Sequence, residues 1–144
     1  TQIIETDDIF YYDFTPDGSQ IIFSSYGFVS GEKSLTKMNI DGSNVTQIDI
    51  IHGLFSISRS GNKIVFMKKY DEIWIVDIDG TNLKQLKTSV PFVNTLDISN
   101  NEDKIVYSIT GGVYIMNIDG TEHIELIKGY GWWWDSIIQP IPNN

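Results

Sequence analysis

The sequence contains no cysteine, which removes disulfides, thiolate zinc sites and cysteine nucleophiles together. The redox compartment stays open, because cytosolic and secreted proteins alike can lack the residue. Basic side chains are scarce, with 10 Lys and Arg against 19 Asp and Glu and a net charge of −9. Lysines so few and scattered do not grip a phosphate backbone, so nucleic acid is not an expected partner. Anionic membrane surfaces are disfavoured for the same reason. No apolar run approaches a membrane span, so no membrane insertion is expected. Thr1 begins directly in strand-like sequence, with no signal peptide in this chain. Helical periodicity is missing as well.

What is present is a repeat. Leu35-Thr-Lys-Met-Asn39-Ile-Asp41-Gly42-Ser43-Asn44 returns as Trp74-Ile-Val-Asp77-Ile-Asp79-Gly80-Thr81-Asn82. It returns again as Tyr114-Ile-Met-Asn117-Ile-Asp119-Gly120-Thr121-Glu122. The step is 38 residues from Asn39 to Asp77 and 40 from Asp77 to Asn117. Each copy alternates apolar and other residues, as a strand does, and runs into Asp-Gly, which tolerates positive φ in a tight hairpin turn. Gly42, Gly80 and Gly120 are thus turn residues. A period of this length made of short strands points to propeller blades or a similar array.

The rest of each unit follows in register. A first strand, around Tyr11–Phe14, Leu54–Ile57 and Thr95–Ile98, leads through a turn into a second: Gln20–Phe23, Lys63–Phe66 and Lys104–Tyr107. Pro16 presets φ and Gly18 or Gly61 takes the left-handed position. The third copy, Asn100-Asn101-Glu102-Asp103, reads as a longer and looser turn. The segments Thr46–Ile48, Lys84–Leu86 and Ile124–Leu126 close each unit as a last strand. The expected fold is all-β: three four-stranded antiparallel meanders forming propeller blades at approximately 10–50, 51–88 and 92–128. Residues 1–4 repeat the last strand and residues 137–144 the first, giving an extra strand at each end of a single domain.

Phe14-Thr-Pro-Asp-Gly, Ile-Ile-Phe, Met-Asn-Ile-Asp-Gly-Ser-Asn and Thr-Gln-Ile together resemble the TolB-type, WD40-like β-propeller repeat, over essentially the whole chain. The resemblance implies four-stranded blades set radially around a channel, commonly about six within the roughly four to eight that single-chain propellers use. It also implies protein partners and an extracytoplasmic (periplasmic or secreted) location. Some relatives are propeller lids on peptidases. Three blades fall short of that count and leave two apolar blade faces without neighbours. A standard interface buries about 800 Å² per partner. At ~25 cal/mol/Å² for its apolar part, leaving such a face wet forgoes on the order of 10 kcal/mol. The chain therefore either self-associates, most simply as a homodimer, or belongs to a longer propeller.

Candidate chemistry is thin. With Gly80 at the invariant glycine of an EF-hand loop, the first and last ligand positions fall on Ile75 and Leu86, which do not bind calcium. Asp7, Asp8, Asp13 and Asp17 cluster near the first unit, but solvated loop acids explain them. His52 and His123 occupy different places in the repeat and are not expected to share a metal or a triad. Asn44-Val-Thr46 is a formal glycosylation sequon, a triplet common by chance. No nucleophile elbow, phosphate loop or zinc spacing occurs, so no enzyme activity, metal or cofactor is expected. The candidate ligand site is aromatic: Trp132, Trp133 and Trp134, with Tyr26, Phe28 and Tyr70 from loops reaching the same end of a propeller. Covering blade ends explains the same rings. The favoured function is a non-enzymatic protein-interaction scaffold. A carbohydrate- or peptide-binding module and a propeller lid from a larger hydrolase are the alternatives.

Overall fold

The computed structural model describes residues 8–26, 32–87 and 92–129. Among the described residues, twelve strands form three four-stranded antiparallel sheets, each in sequential order and joined by hairpins. The first sheet contains β1 (Ile9–Phe14), β2 (Gln20–Tyr26), β3 (Lys33–Asn39) and β4 (Thr46–Ile50). The second contains β5 (Phe55–Ile57), β6 (Lys63–Lys68), β7 (Glu72–Asp77) and β8 (Lys84–Lys87). The third contains β9 (Val93–Ile98), β10 (Lys104–Ile109), β11 (Gly112–Asn117) and β12 (Ile124–Lys128). The extra strands expected at residues 1–4 and 137–144 lie outside the described residues.

The repeat extends to irregularities. In every sheet the pairing of third and fourth strands shifts by one residue at the same place, Leu35/Thr36, Ile73/Trp74 and Val113/Tyr114. Such a bulge increases the local twist and carries the outer strand away from the plane of the inner three.

The hairpin between third and fourth strands explains why Asn/Asp-Ile-Asp-Gly-Ser/Thr recurs. Gly42 N–H donates to Asn39 O at 2.8 Å, and Asn39 N–H donates to Ser43 O at 2.9 Å. The loop is therefore three residues long, a turn closed by a left-handed glycine, rather than a two-residue hairpin with both residues at positive φ. Gly42, Gly80 and Gly120 have φ of 82, 90 and 86°, while the preceding aspartates keep negative φ. Those aspartates have another task. Asp41 accepts the hydroxyl and backbone N–H of Ser43 at 2.6 and 2.9 Å. Asp79 and Asp119 do the same with Thr81 and Thr121. Hydroxyl first and N–H second, these bonds hold all three carboxyls below the usual range. A residue that both accepts its own turn's donors and precedes a left-handed glycine is close to obligatory here, which is why the motif survives where neighbouring positions drift.

The turn between first and second strands corrects one expectation. Ser99 N–H donates to Lys104 O and Glu102 N–H to Ser99 O, the same pair of bonds that Thr15 and Gly18 make in the first sheet. The third copy is equally tight and no longer than the others. Glu102 simply adopts φ 59° where Gly18 and Gly61 have 70 and 78°, a strained position for a side-chain-bearing residue. Its carboxylate compensates by accepting the Ser60 N–H of the neighbouring sheet at 2.6 Å. In the first sheet Asp17 accepts the Thr15 hydroxyl and the Ser19 N–H, which together bring its carboxyl down to about 2.

The core lies between sheets. Ile22, Leu35 and Ile51 of the first meet Ile64, Phe66 and Val76 of the second. The other face of the second sheet, Val65, Met67 and Ile73, meets Leu96, Ile98, Ile105, Tyr107 and Met116 of the third. Period-2 alternation thus supplies two apolar faces from one strand. Full burial of each of these side chains contributes roughly 1.5–3 kcal/mol. β5 lies beside β9, with Ser56 Oγ donating to Asp97 Oδ1 at 2.6 Å, so first strands are innermost. Fourth strands are peripheral.

The hairpin of one sheet also seats on the fourth strand of the sheet before it. A Cβ on Gly80 would lie 4.0 Å from Ile48 O, and one on Gly120 would lie 2.7 Å from Leu86 O and 3.1 Å from Leu86 Cα. Lys37 Nζ donates across the first of these seams to Ile78 O, and Lys84 Nζ across the second to Asp119 O. Alanine at position 80 meets only the backbone strain of positive φ, expected to cost about 1 kcal/mol. Alanine at position 120 must also displace Leu86 and is expected to cost about 1–3 kcal/mol more. Urea unfolding of Gly80→Ala and Gly120→Ala measures the difference; equal losses would show that the second seam is not tight at Gly120.

Candidate functional site

The chain enters each inner strand at the same end of the molecule, and there the connections line an open cavity of about 470 Å³. Its floor is pinned by backbone bonds. Ile51 N–H donates to Lys33 O at 2.9 Å, His52 N–H to Met67 O at 2.7 Å, and Met67 N–H to Leu54 O at 3.0 Å. Gly53, at φ 143°, lets the chain reverse between two of these bonds. Two non-glycine residues of the lining are also at positive φ, Lys69 at 57° and Phe92 at 43°. Strain of this kind persists only where surrounding contacts over-determine it, and it gathers at binding sites.

The walls are aromatic and cationic. The His52 and Tyr70 rings lie 3.5 Å apart between centroids. Phe10 meets Tyr26 edge to face at 5.1 Å, and Lys33 Nζ stands 3.9 Å above the Phe10 ring, a cation–π contact. Lys69 Nζ pairs with Glu72 at 2.9 Å. That carboxylate is held below its usual range by Lys69 first and by the Trp74 indole N–H second, and the Lys69 ammonium is raised in turn. The lining contains Lys33 and Lys69 and no carboxylate, on a chain that carries nearly two acids for every base.

Two of the aromatics expected at a ligand site are brought here. Tyr70 lines the cavity with 68% of its surface exposed, and Tyr26 flanks it through Phe10. Phe28, Trp132, Trp133 and Trp134 lie outside the described residues. Phe10, Tyr11, Lys33, His52, Lys69 and Phe92 were not read as site residues from the sequence. Three of them, Phe10, His52 and Phe92, sit shortly before or at the start of the three inner strands, so aligning those entry points is the signal that finds them. Gly18, Gly42, Gly80 and Gly120 are all turn glycines at positive φ and lie away from this cavity.

The remaining candidates disperse. Asp13 accepts its neighbour's Phe14 N–H, Asp17 serves the first turn, and Asp7 lies outside the described residues. Among the described residues no three His, Cys, Asp or Glu are grouped to hold a metal. His123 is remote from His52 in the repeat: its Nε2 meets the Tyr107 hydroxyl, and its ring stacks on Tyr114. Burial pushes the Tyr107 phenol up to about 12, and burial likewise lowers the His123 imidazole. Tyr107 belongs to the core between the second and third sheets, so this cluster packs rather than binds.

No protein-family model matches the chain, and no curated protein matches it. Solved structures do. A protein described as a TolB from Agrobacterium tumefaciens aligns over 90% of this chain and 52% of its own, with TM-score 0.70 and 15% identity. The β-propeller domain of the trilobed protease from Pyrococcus furiosus aligns over 84% and 43%, with TM-score 0.65 and 16% identity. Oligogalacturonate lyase in complex with manganese aligns over 89% and 43%, with TM-score 0.70 and 11% identity. The three sheets are propeller blades. At these identities the likeness is one of fold, and the chain spans about half the length of the propellers it matches.

The rim and the floor of the mouth cavity are expected to respond differently to truncation. Tyr70→Ala removes a largely exposed ring and should change stability by about 0.5 kcal/mol or less. Met67→Ala, at 4% exposure beneath the cavity, should cost about 2–5 kcal/mol. Thermal unfolding separates them; a large loss from Tyr70→Ala would assign that ring to packing.

Proposed function

We propose that the protein is a non-enzymatic interaction module of TolB-like propeller blades, extracytoplasmic, whose ring is completed by a second copy or by further blades of a longer chain. The observation that carries this reading is the fit between the two open ends. Each hairpin seats on the fourth strand of the blade before it, Gly80 on Ile48 and Gly120 on Leu86. By the repeat spacing, the hairpin of the first blade, Ile40 to Gly42, calls for a strand equivalent to β12 at Leu126. Ile40 is 59% exposed and Leu126 55% exposed. The flanking faces agree. Tyr12 and Phe14 stand where Phe55 and Ile57 pack in the second blade, yet they are 73% and 55% exposed.

The ends are different surfaces, so they join head to tail and terminate only by closing a ring. Three blades among the described residues of each chain give six for two chains, in keeping with a chain that spans about half of the propellers it resembles. A homodimer is the simplest closed form of this chain. Light scattering behind size-exclusion chromatography is expected to give twice the chain mass at micromolar concentration. A stable monomer would remove self-association.

A second reading, ligand binding at the mouth, is favoured by one specific observation: the cavity joins aromatic faces to two lysines with strained backbone on its lining. The two readings are compatible, since the mouth of a closed ring is a single surface.

A further inference from the structure

Both seams inside the chain are tied by polar contacts. Between the first and second blades Lys68 pairs with Asp49 at 2.9 Å, and Lys37 Nζ donates to Ile78 O at 2.8 Å. Between the second and third, Ser56 Oγ donates to Asp97 Oδ1 at 2.6 Å and Lys84 Nζ to Asp119 O at 2.9 Å. Glu102 adds the bond it accepts from the Ser60 N–H.

The repeat fixes what stands at the same places where the third blade of one copy meets the first blade of the next. Ile115 takes the place of Lys37, and Ile124 that of Lys84. The pair Asp49 and Lys68 becomes Ile127 and Ser25, with Ile127 opposite Val113 just as Asp49 is opposite Leu35. Gly18 takes the place of Glu102. None of these ties is reproduced at the closing seam, and Ile124 and Ile127 are 52% and 59% exposed there. The innermost strands go further. Asp13, Ser56 and Asp97 are equivalent positions, and Asp13 and Asp97 are set alike. Each Oδ1 accepts the N–H of the residue that follows, Phe14 or Ile98, at 2.8 Å. Asp97 also receives a hydroxyl from the blade before it, whereas ring closure offers Asp13 only Asp97 of the other copy. Two carboxylates then face each other where the internal seam has a hydrogen bond, and like charges so placed repel.

We propose that the two closing seams are the joints at which the ring opens, held by apolar contact and loosened by Asp13 facing Asp97, while the seams inside each chain stay shut. The proposal rests on the two-copy ring and makes that assembly reversible. Repulsion between carboxylates in water is modest, but a closed ring contains it twice, so one substitution acts at both joints.

The test is sedimentation velocity on a dilution series of the full chain, which reads the dissociation constant of the dimer. Asp13→Ser replaces one of the facing carboxylates with a hydroxyl that the other accepts, and should lower that constant about tenfold. Ile124→Lys restores the counterpart of Lys84 at an exposed position, and should lower it about threefold. On the wild type alone, raising salt from about 0.05 to about 0.5 M should tighten the dimer about threefold, which keeps the test decisive if a variant fails to fold. The same change should move Asp13→Ser far less, because its joint no longer carries facing charges. A dimer that Asp13→Ser leaves unmoved or weakens, or that salt loosens, would overturn the proposal and leave the ring standing. Monomer at every concentration from the wild type and both variants would overturn the ring itself, and the proposal with it.

Discussion

Everything in this fold depends on one sheet burying its apolar face against the next. No blade has a core of its own: the buried side chains of the first blade meet those of the second, and the second uses its opposite face for the third. A single four-stranded blade would leave its apolar faces in water, forgoing roughly 25 cal/mol for each Å² of apolar surface not buried. The blade therefore acquires its stability from its neighbours, as a unit of a stacked array does. Hairpins that seat on the preceding fourth strand add a second level of contact, one that Gly120 can make only because it has no Cβ. The same dependence means that the outer faces of the first and third blades carry the identity of the missing neighbours.

The architecture was legible in the sequence because its constraints are local. Asp-Gly-Ser and Asp-Gly-Thr are conserved within the chain by turn geometry, and alternation along each strand sets the register. A local reading failed where a side chain substituted for a conformational preference. Asn100 to Asp103 lacks glycine and so looked loose, yet Glu102 holds the left-handed position by bonding to Ser60 of another blade. That bond is 42 residues away in sequence, and nothing near Glu102 announces it.

The mouth was only partly legible for the same reason. Tyr70 and Tyr26 stood out as loop aromatics, but Phe10, His52 and Phe92 belong to three different blade entries and converge only when the inner strands come together. Lys33 and Lys69 looked like two more scattered lysines on an acidic chain. Their place is set by the fold: both line the cavity, Lys33 over the Phe10 ring and Lys69 paired with Glu72, and spacing along the sequence does not reveal that they meet. The glycines concern turns at positive φ, and two of them, Gly80 and Gly120, mark the seams between blades rather than the site.

The central claim is that the open ends of this chain are complementary, and a cross-link measures it most directly. Ile78 shares a core cluster with Ile48, and Ile118 shares one with Leu86; the repeat then places Ile40 of one copy against Leu126 of the next. Because the chain has no native cysteine, Ile40→Cys and Leu126→Cys in one chain leave only the designed thiols. Mild oxidation is expected to yield a covalent dimer on non-reducing gels, with neither single variant forming that specific link. Monomer alone after oxidation, or a ladder of ever larger species, would contradict a ring closed by two copies.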